Sequence, residues 1–158
     1  MNPLTTILRF APLAALALAL MAGRAEAQDR VSAEVIVVLA KESAGTVDPA
    51  LADIPALQRA PFNAFQSMEI LDRKREQLRA GVDRDVALPN GRTLRIRLQR
   101  VMPDGRYRVQ VSINRPEADA YLPLLQVVTA PGDPFFVAGQ SYRGGTLVIG
   151  VRVGSTSG

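Results

Sequence analysis

Two Pro-Asx-Gly tripeptides most constrain the fold of this chain, because each stands between stretches in which apolar and polar residues alternate. The first is Pro89-Asn90-Gly91, whose glycine suits the left-handed position of a three-residue type I hairpin loop. Such a loop would pair Leu88 with Arg92 and Val86 with Leu94. This register keeps the apolar side chains of both strands on one face, so the tripeptide predicts a β-hairpin.

The second tripeptide, Pro103-Asp104-Gly105, predicts another hairpin with a different register. The apolar faces of its two strands match when Leu98 lies opposite Val111, which fits a loop of two or four residues. A two-residue loop would require an N–H group that Pro103 lacks. We therefore expect a four-residue loop that pairs Met102 with Tyr107.

Other segments of the chain also have the composition of strands, namely Val31–Ala40, Leu122–Thr129, Phe135–Val137 and Thr146–Val153. Val31–Ala40 is rich in β-branched residues, which predicts a central strand buried on both faces. Pro123 confines its strand to the start or to a sheet edge, and residues 139–145 are predicted to form a loop. The chain is therefore predicted to be mainly β, an antiparallel β-sandwich or barrel of seven to eight short strands with at most one helix.

The helix would cover about 64–80, where two interpretations remain open. Asn63 suits a helix N-cap, Gly81 suits a stop, and only Arg75 interrupts an apolar stripe between them. As a strand, one face of this segment would carry three charged residues in succession, which is poor alternation. The local pattern favours the helix.

The preceding residues 44–61 contain too many glycines and prolines for a long regular element, which predicts a crossing loop with a short helical turn. Its apolar residues indicate that the loop is packed. They are Leu51, Ile54 and Leu57. Phe62 and Phe65 follow, and are interpreted as a plug at one end of the core or as a docking pair for a partner.

The N-terminus has the three parts of a signal peptide in order. Arg9 is the positive region, Phe10–Ala22 is the apolar region, and Ala25-Glu26-Ala27 is the cleavage motif. The apolar run is shorter than the roughly 20 residues needed to span a bilayer. We therefore predict a signal peptide over 1–27, a single mature domain over 28–158 without a transmembrane segment, and a periplasmic or secreted location.

Three short segments, Leu88–Arg92, Phe135–Tyr142 and Gly144–Leu147, resemble uncharacterised exported β-proteins of Gram-negative bacteria. The resemblance covers about the last half of the chain. It implies that the stretch after Phe62 and Phe65 is a strand rather than a helix. It implies no activity.

The chain has no histidine and no cysteine. The usual general base near neutral pH, a thiol nucleophile and Cys/His metal sites are thereby excluded, and no phosphate-binding glycine loop is present. We predict that the protein is not an enzyme and has no cofactor and no metal site. The nearest candidates for carboxylate catalysis or a hard cation are Asp83 with Asp85 and Glu117 with Asp119, for which solvated turn positions are the favoured interpretation.

The candidate binding residues are Arg95, Arg97, Arg106 and Arg108, which the predicted hairpin places on its outward face. Arginine suits an anionic ligand such as an acidic glycan or a phospholipid headgroup. The alternative is the ordinary solvated face of a one-sided sheet. No nucleic acid is expected, because no aromatic residue interleaves with these arginines.

Taken together, these features predict an exported, non-enzymatic binding or structural module that contacts another envelope component, either a protein or an anionic polymer. The contact would use a sheet edge or the arginine-bearing hairpin. The alternative function is binding of an anionic ligand through the four arginines.

Overall fold

Eight strands, in which apolar and polar side chains alternate, form two four-stranded antiparallel sheets. A computed structural model describes residues 30–115 and 120–154 of the chain. Sheet 1 has the order β2-β1-β8-β7, and sheet 2 has the order β3-β4-β5-β6. The strands are β1 (Arg30–Lys41), β2 (Ser67–Arg79), β3 (Asp83–Ala87), β4 (Thr93–Val101), β5 (Tyr107–Asn114), β6 (Tyr121–Thr129), β7 (Pro134–Tyr142) and β8 (Gly145–Val153). The predicted antiparallel β-sandwich is confirmed, and the predicted signal peptide lies outside the described residues.

The main core lies between the sheets, where inward side chains of the central strands meet. Val35 and Val37 of β1 face the second sheet from one side, and Leu94 and Ile96 of β4 face the first from the other. All four are fully buried. Burial of such side chains, each contributing about 1.5–3 kcal/mol relative to exposure, holds the two sheets together without any disulfide.

A second apolar cluster lies on the outer face of sheet 1, under residues 42–66. This crossing segment contains one helix, α1 (Pro49–Ala52), and two 3₁₀ turns (Pro55–Gln58 and Phe62–Ala64). Leu51 and Leu57 of the segment are buried, as predicted. Because the segment covers its outer face, β1 is buried on both faces and lies between β2 and β8, as its composition predicts.

Phe62 and Phe65 pack in this second cluster, and not at an end of the main core, which is one of the two interpretations that the sequence allows for the pair. The ring of Phe62 meets that of Phe136 edge to face, with 6.0 Å between centroids. Both side chains are half-buried. Phe62 therefore attaches the crossing segment to β7.

The helix that the local pattern favours over about 64–80 is wrong, because this segment is strand β2. It pairs with β1 along its length, from Arg30 opposite Arg79 to Lys41 opposite Ser67. A bulge at Leu71 turns that side chain to the main core, whereas Ile70 packs in the second cluster. Pairing with β1 and one bulge outweigh the helix propensity of a segment rich in Glu, Lys, Arg and Leu.

The first predicted hairpin is confirmed. Leu88 N donates to Arg92 O at 2.8 Å, and Val86 lies opposite Leu94. Gly91 has φ 80°, the left-handed conformation that the loop requires.

The register predicted for the second hairpin is wrong. Leu98 lies opposite Val109, and Val101 rather than Met102 lies opposite Tyr107. The loop has three residues, since Met102 N donates to Arg106 O at 2.7 Å. A bulge at Gln99 keeps the apolar side chains of β4 and β5 on the same face of the sheet. Without a bulge, the same match would require a loop of two or four residues.

The last three strands are longer than predicted. Strand β6 is an edge strand, as Pro123 predicts. Strand β7 extends through most of the predicted loop 139–145 to Tyr142, which lies opposite Gly145. The turn is therefore only Arg143 and Gly144, both with positive φ, as in a two-residue hairpin.

Candidate functional site

Two cross-strand ion pairs occupy one half of the outer face of sheet 2. Arg95 Nε and Nη2 donate to the two carboxylate oxygens of Asp85, at 2.7 and 2.8 Å. Arg97 Nε donates to Asp83, and Asp83 also lies 3.7 Å from Arg95 Nε. The two arginines and the two aspartates of β3 and β4 therefore neutralise one another.

Tyr121 of β6 closes this group on one side. The guanidinium of Arg95 lies over its ring at 3.7 Å from the centroid, and its hydroxyl is 3.4 Å from Asp85 Oδ2. A depression of about 200 Å³ lies here, lined by Asp83, Arg95, Arg97, Gln110, Ser112, Tyr121 and Pro123. Its charges are already satisfied, so an anion would have to compete with the aspartates.

The ion pair makes stability depend on acid pH. The hydrogen bonds from Arg95 hold the pKa of Asp85 below its ordinary value of 3.8 and raise the pKa of Arg95. A lowered folded-state pKa stabilises the fold above the ordinary value, and this stability is lost as pH falls through the folded-state pKa. We therefore expect the free energy of unfolding to decline below about pH 4. Asp85→Asn and Arg95→Gln should each make this decline less steep, and by the same amount. Urea unfolding at several pH values measures it. Because the pair is partly exposed, we expect its share of this decline to be small. If the unfolding free energy of both variants declines at acid pH as steeply as that of the unaltered protein, the prediction is contradicted.

A band of glutamines separates this half from the tip of the second hairpin. Gln126 donates to Gln99 at 2.9 Å, and Gln99 donates to Gln110 at 3.1 Å. The band thus runs across β6, β4 and β5. Its neutral amides divide the outer face of sheet 2 into two electrostatically different halves.

The tip beyond the band carries three arginines. Arg106 is bonded to Asp104 of its own turn at 2.7 Å, whereas Arg108 lies opposite Arg100. Hydrogen bonds from the backbone and side chain of Arg106 hold the pKa of Asp104 below its ordinary value. The structure therefore places the four predicted arginines in two groups, and it adds Arg100 to the second.

The structure describes one of the two carboxylate pairs that the sequence offers as candidates. Asp83 and Asp85 lie in strand β3 rather than in a turn, and although both are exposed, each is ion-paired with an arginine. Glu117 and Asp119 lie outside the described residues. Within residues 30–115 and 120–154, no group of three or more acidic side chains could hold a metal ion.

A larger group of arginines lies on the outer face of sheet 1, beside the crossing segment. We call it the arginine face, and it consists of Arg30, Arg73, Arg75, Arg79 and Arg152 with one carboxylate, Glu34. Glu34 bonds Arg73 and Arg152, each at 3.3 Å. The other three arginines make no ion pair with any residue that the structure describes.

This face is not among the sites predicted above, although the sequence carries a signal for it. Arg73, Arg75 and Arg79 are separated by even numbers of residues, so they share a face in a strand but not in a helix. The helical interpretation of 64–80 hid that spacing. Arg30 of β1 and Arg152 of β8 belong to the arginine face only because β1 pairs with both β2 and β8.

The two lateral sides of the sandwich differ in charge. Of the edge strands on one side, β2 has seven charged residues among 13 and β3 has three among five. Lys74 Nζ donates to Ala87 O at 2.6 Å and Arg84 Nη2 to Gln77 O at 3.1 Å, so these two edges are joined. On the other side, edge strands β6 and β7 contain no charged residue.

A mainly apolar crevice of about 210 Å³ opens between β6 and β7. Leu122 and Val137 line it together with Ile113, Leu147 and Ile149 of the main core, and Arg92 and Gln140 add polar groups to its lining. No hydrogen bond or ion pair joins β6 to β7 in the part of the chain that the structure describes. We call the lateral side formed by β6 and β7, neither of which has a charged residue, the uncharged side.

A second, more polar cleft of about 420 Å³ lies where β1 ends beside the β7–β8 turn. Phe65 and Ser141 line it together with Lys41 and Glu42. Ser141 belongs to the predicted loop 139–145, so this segment borders a cleft, although most of it is strand. In the described residues, no helix is both long and apolar enough for a membrane span.

In comparisons with known proteins, no family model, no curated protein and no solved structure matches this chain.

Proposed function

We propose that the protein is an exported, non-enzymatic binding module that takes an extended, uncharged segment of another envelope protein as an added strand beside β6. The observation that carries the proposal is the charge difference between the two lateral sides. Natural sheets protect their edges with charged residues, as β2 and β3 do here. Strands β6 and β7 lack that protection on the same side of the molecule.

The crevice supports a peptide in preference to a small molecule. Its volume of about 210 Å³ is below the roughly 300 Å³ at which small-molecule pockets begin. It suits one or two apolar side chains of a strand that pairs with β6. Leu122, 37% exposed at its mouth, and Val128, equally exposed on the same strand, are apolar surface that such a partner would cover.

Export and the absence of catalysis are supported by the composition of the chain. Residues 1–27 have the pattern of a signal peptide. With no histidine or cysteine, catalysis would rest on carboxylates, and Asp83 and Asp85 are engaged by arginines. Binding of an anion at Arg95, Arg97, Arg106 and Arg108 is the less favoured function, because Arg95 and Arg97 are already neutralised.

The first experiment locates the contact in cells. A photo-crosslinking residue is placed at Leu122 and, as a control, at Val101, which is 52% exposed but lies in a central strand. We expect a crosslink from position 122 alone, mapped by mass spectrometry to an extended, uncharged segment of an envelope protein. Equal crosslinks from both positions, or crosslinks only to a second copy of this chain, would contradict the proposal.

The second experiment measures the affinity of that segment as a synthetic peptide. A charge that points into the crevice opposes strand addition, so Leu122→Lys is expected to weaken binding at least about tenfold, or 1.4 kcal/mol. Val101→Lys is the matched control and should bind as the unaltered protein does. Equal affinity of all three proteins, by titration calorimetry, would exclude β6 as the docking edge.

A further inference from the structure

We infer that the arginine face is a second binding surface, which takes an acidic polysaccharide along strand β2. The face differs from the uncharged side in position and in chemistry, so this inference does not depend on the proposed function. It presents five guanidinium groups and one carboxylate on three adjacent strands. Such an excess of one charge on a flat surface attracts a polyanion.

The spacing of the arginines suits a linear ligand. Arg73, Arg75 and Arg79 follow one another along β2, and with about 3.3 Å per residue the row is about 20 Å long. Arg30 lies directly opposite Arg79 in the register. Like charges placed opposite each other destabilise a strand pair, and an anionic group between the two would relieve that repulsion.

Glu34 shows where the face is already occupied. It holds Arg73 and Arg152 at 3.3 Å each, and Arg152 Nε is buried with no hydrogen-bond partner among the residues that the structure describes. The arginines without an ion-pair partner in the described residues are Arg30, Arg75 and Arg79, toward one end of β1 and β2. A bound polyanion would therefore make its main contacts at that end.

The neighbouring side chains favour a polysaccharide over other polyanions. The face has no aromatic residue on which a nucleic-acid base could stack. The face itself also carries none of the exposed large apolar side chains that would enter a bilayer: Val82 lies in the turn that follows Arg79, and Val47, Val101, Leu122 and Val128 lie on other segments. Gln77, between Arg75 and Arg79 in the row, offers an amide to hydroxyl groups. Arginine binds the carboxylates of an acidic sugar in bidentate fashion.

The test compares two triple variants of the purified protein against a labelled alginate oligomer, with duplex DNA and phosphatidylglycerol vesicles as the competing ligands. The variant Arg73→Gln/Arg75→Gln/Arg79→Gln removes the row, and the control Arg100→Gln/Arg106→Gln/Arg108→Gln removes the same charge from the second hairpin. We expect the unaltered protein to prefer alginate, with affinity that falls as salt rises. The row variant should lose at least about tenfold in affinity, and the control should lose much less.

A variant that is expected to raise the affinity tests whether the losses above could come from misfolding. Glu34→Gln removes the one carboxylate and releases Arg73 and Arg152, so it should increase the affinity for alginate a few-fold. Equal losses in both triple variants would reduce the effect to net charge and overturn the inference. Tighter binding of DNA or vesicles than of alginate at the same salt concentration would overturn the ligand class, and no gain from Glu34→Gln would overturn the site.

Discussion

Replacing Phe136 with alanine is expected to lower the free energy of unfolding by about 3–5 kcal/mol, the usual cost of removing a buried aromatic ring. The ring is 8% exposed and packs in the second apolar cluster against Phe62. It also lies over Gly150 of β8, where an added Cβ would come within 2.6 Å of the ring. The substitution thus opens a cavity and removes one of the contacts that hold the crossing segment to sheet 1. Urea unfolding followed by far-UV circular dichroism measures the loss.

The crossing segment should respond more strongly than the sheets. We expect trypsin to cleave Phe136→Ala faster after Arg59, an exposed residue of that segment, than it cleaves the unaltered protein. Phe65→Ala is the control, because its half-buried ring belongs to the same cluster and should cost less. A loss below about 1 kcal/mol for Phe136→Ala would show that the second cluster does not stabilise the fold.

The parts of the fold that sequence predicts correctly are those whose signals are local. Pro89-Asn90-Gly91 carries its own turn geometry, and the resulting register pairs Val86 with Leu94. That register already implies that Asp85 lies opposite Arg95 and Asp83 opposite Arg97. The ion pairs on sheet 2 could therefore have been derived from the predicted hairpin, without any further signal.

The remaining parts depend on interactions between distant segments. A bulge such as that at Gln99 shifts every pair beyond it, and composition does not mark its position. The tip arginines Arg106 and Arg108 are thereby placed opposite different residues than predicted. Strand β2 has a composition that favours a helix, and only its pairing with β1 makes it a strand. The arginine face depends on that pairing.

The contribution of β2 to the main core is testable, because adjacent residues of a strand point to opposite faces. Leu78 is 1% exposed and packs in the main core, opposite Val31 of β1. Leu78→Ala is expected to cost about 2–5 kcal/mol of unfolding free energy. Gln77→Ala, one residue earlier, removes an exposed side chain on the outer face and should change stability by less than about 0.5 kcal/mol.

A further variant, Arg75→Leu, distinguishes a strand from a helix and bears on both binding proposals. On a helix whose apolar stripe includes Leu71 and Leu78, Arg75 would point toward the core, and Arg75→Leu would stabilise the protein. In the observed strand Arg75 is exposed on the arginine face, so Arg75→Leu should leave the free energy of unfolding nearly unchanged while it weakens alginate binding. A clear gain in stability from Arg75→Leu, together with a negligible cost for Leu78→Ala, would contradict the register of β1 and β2. Without that register the row of arginines does not exist, and neither does the charged edge from which the uncharged side differs.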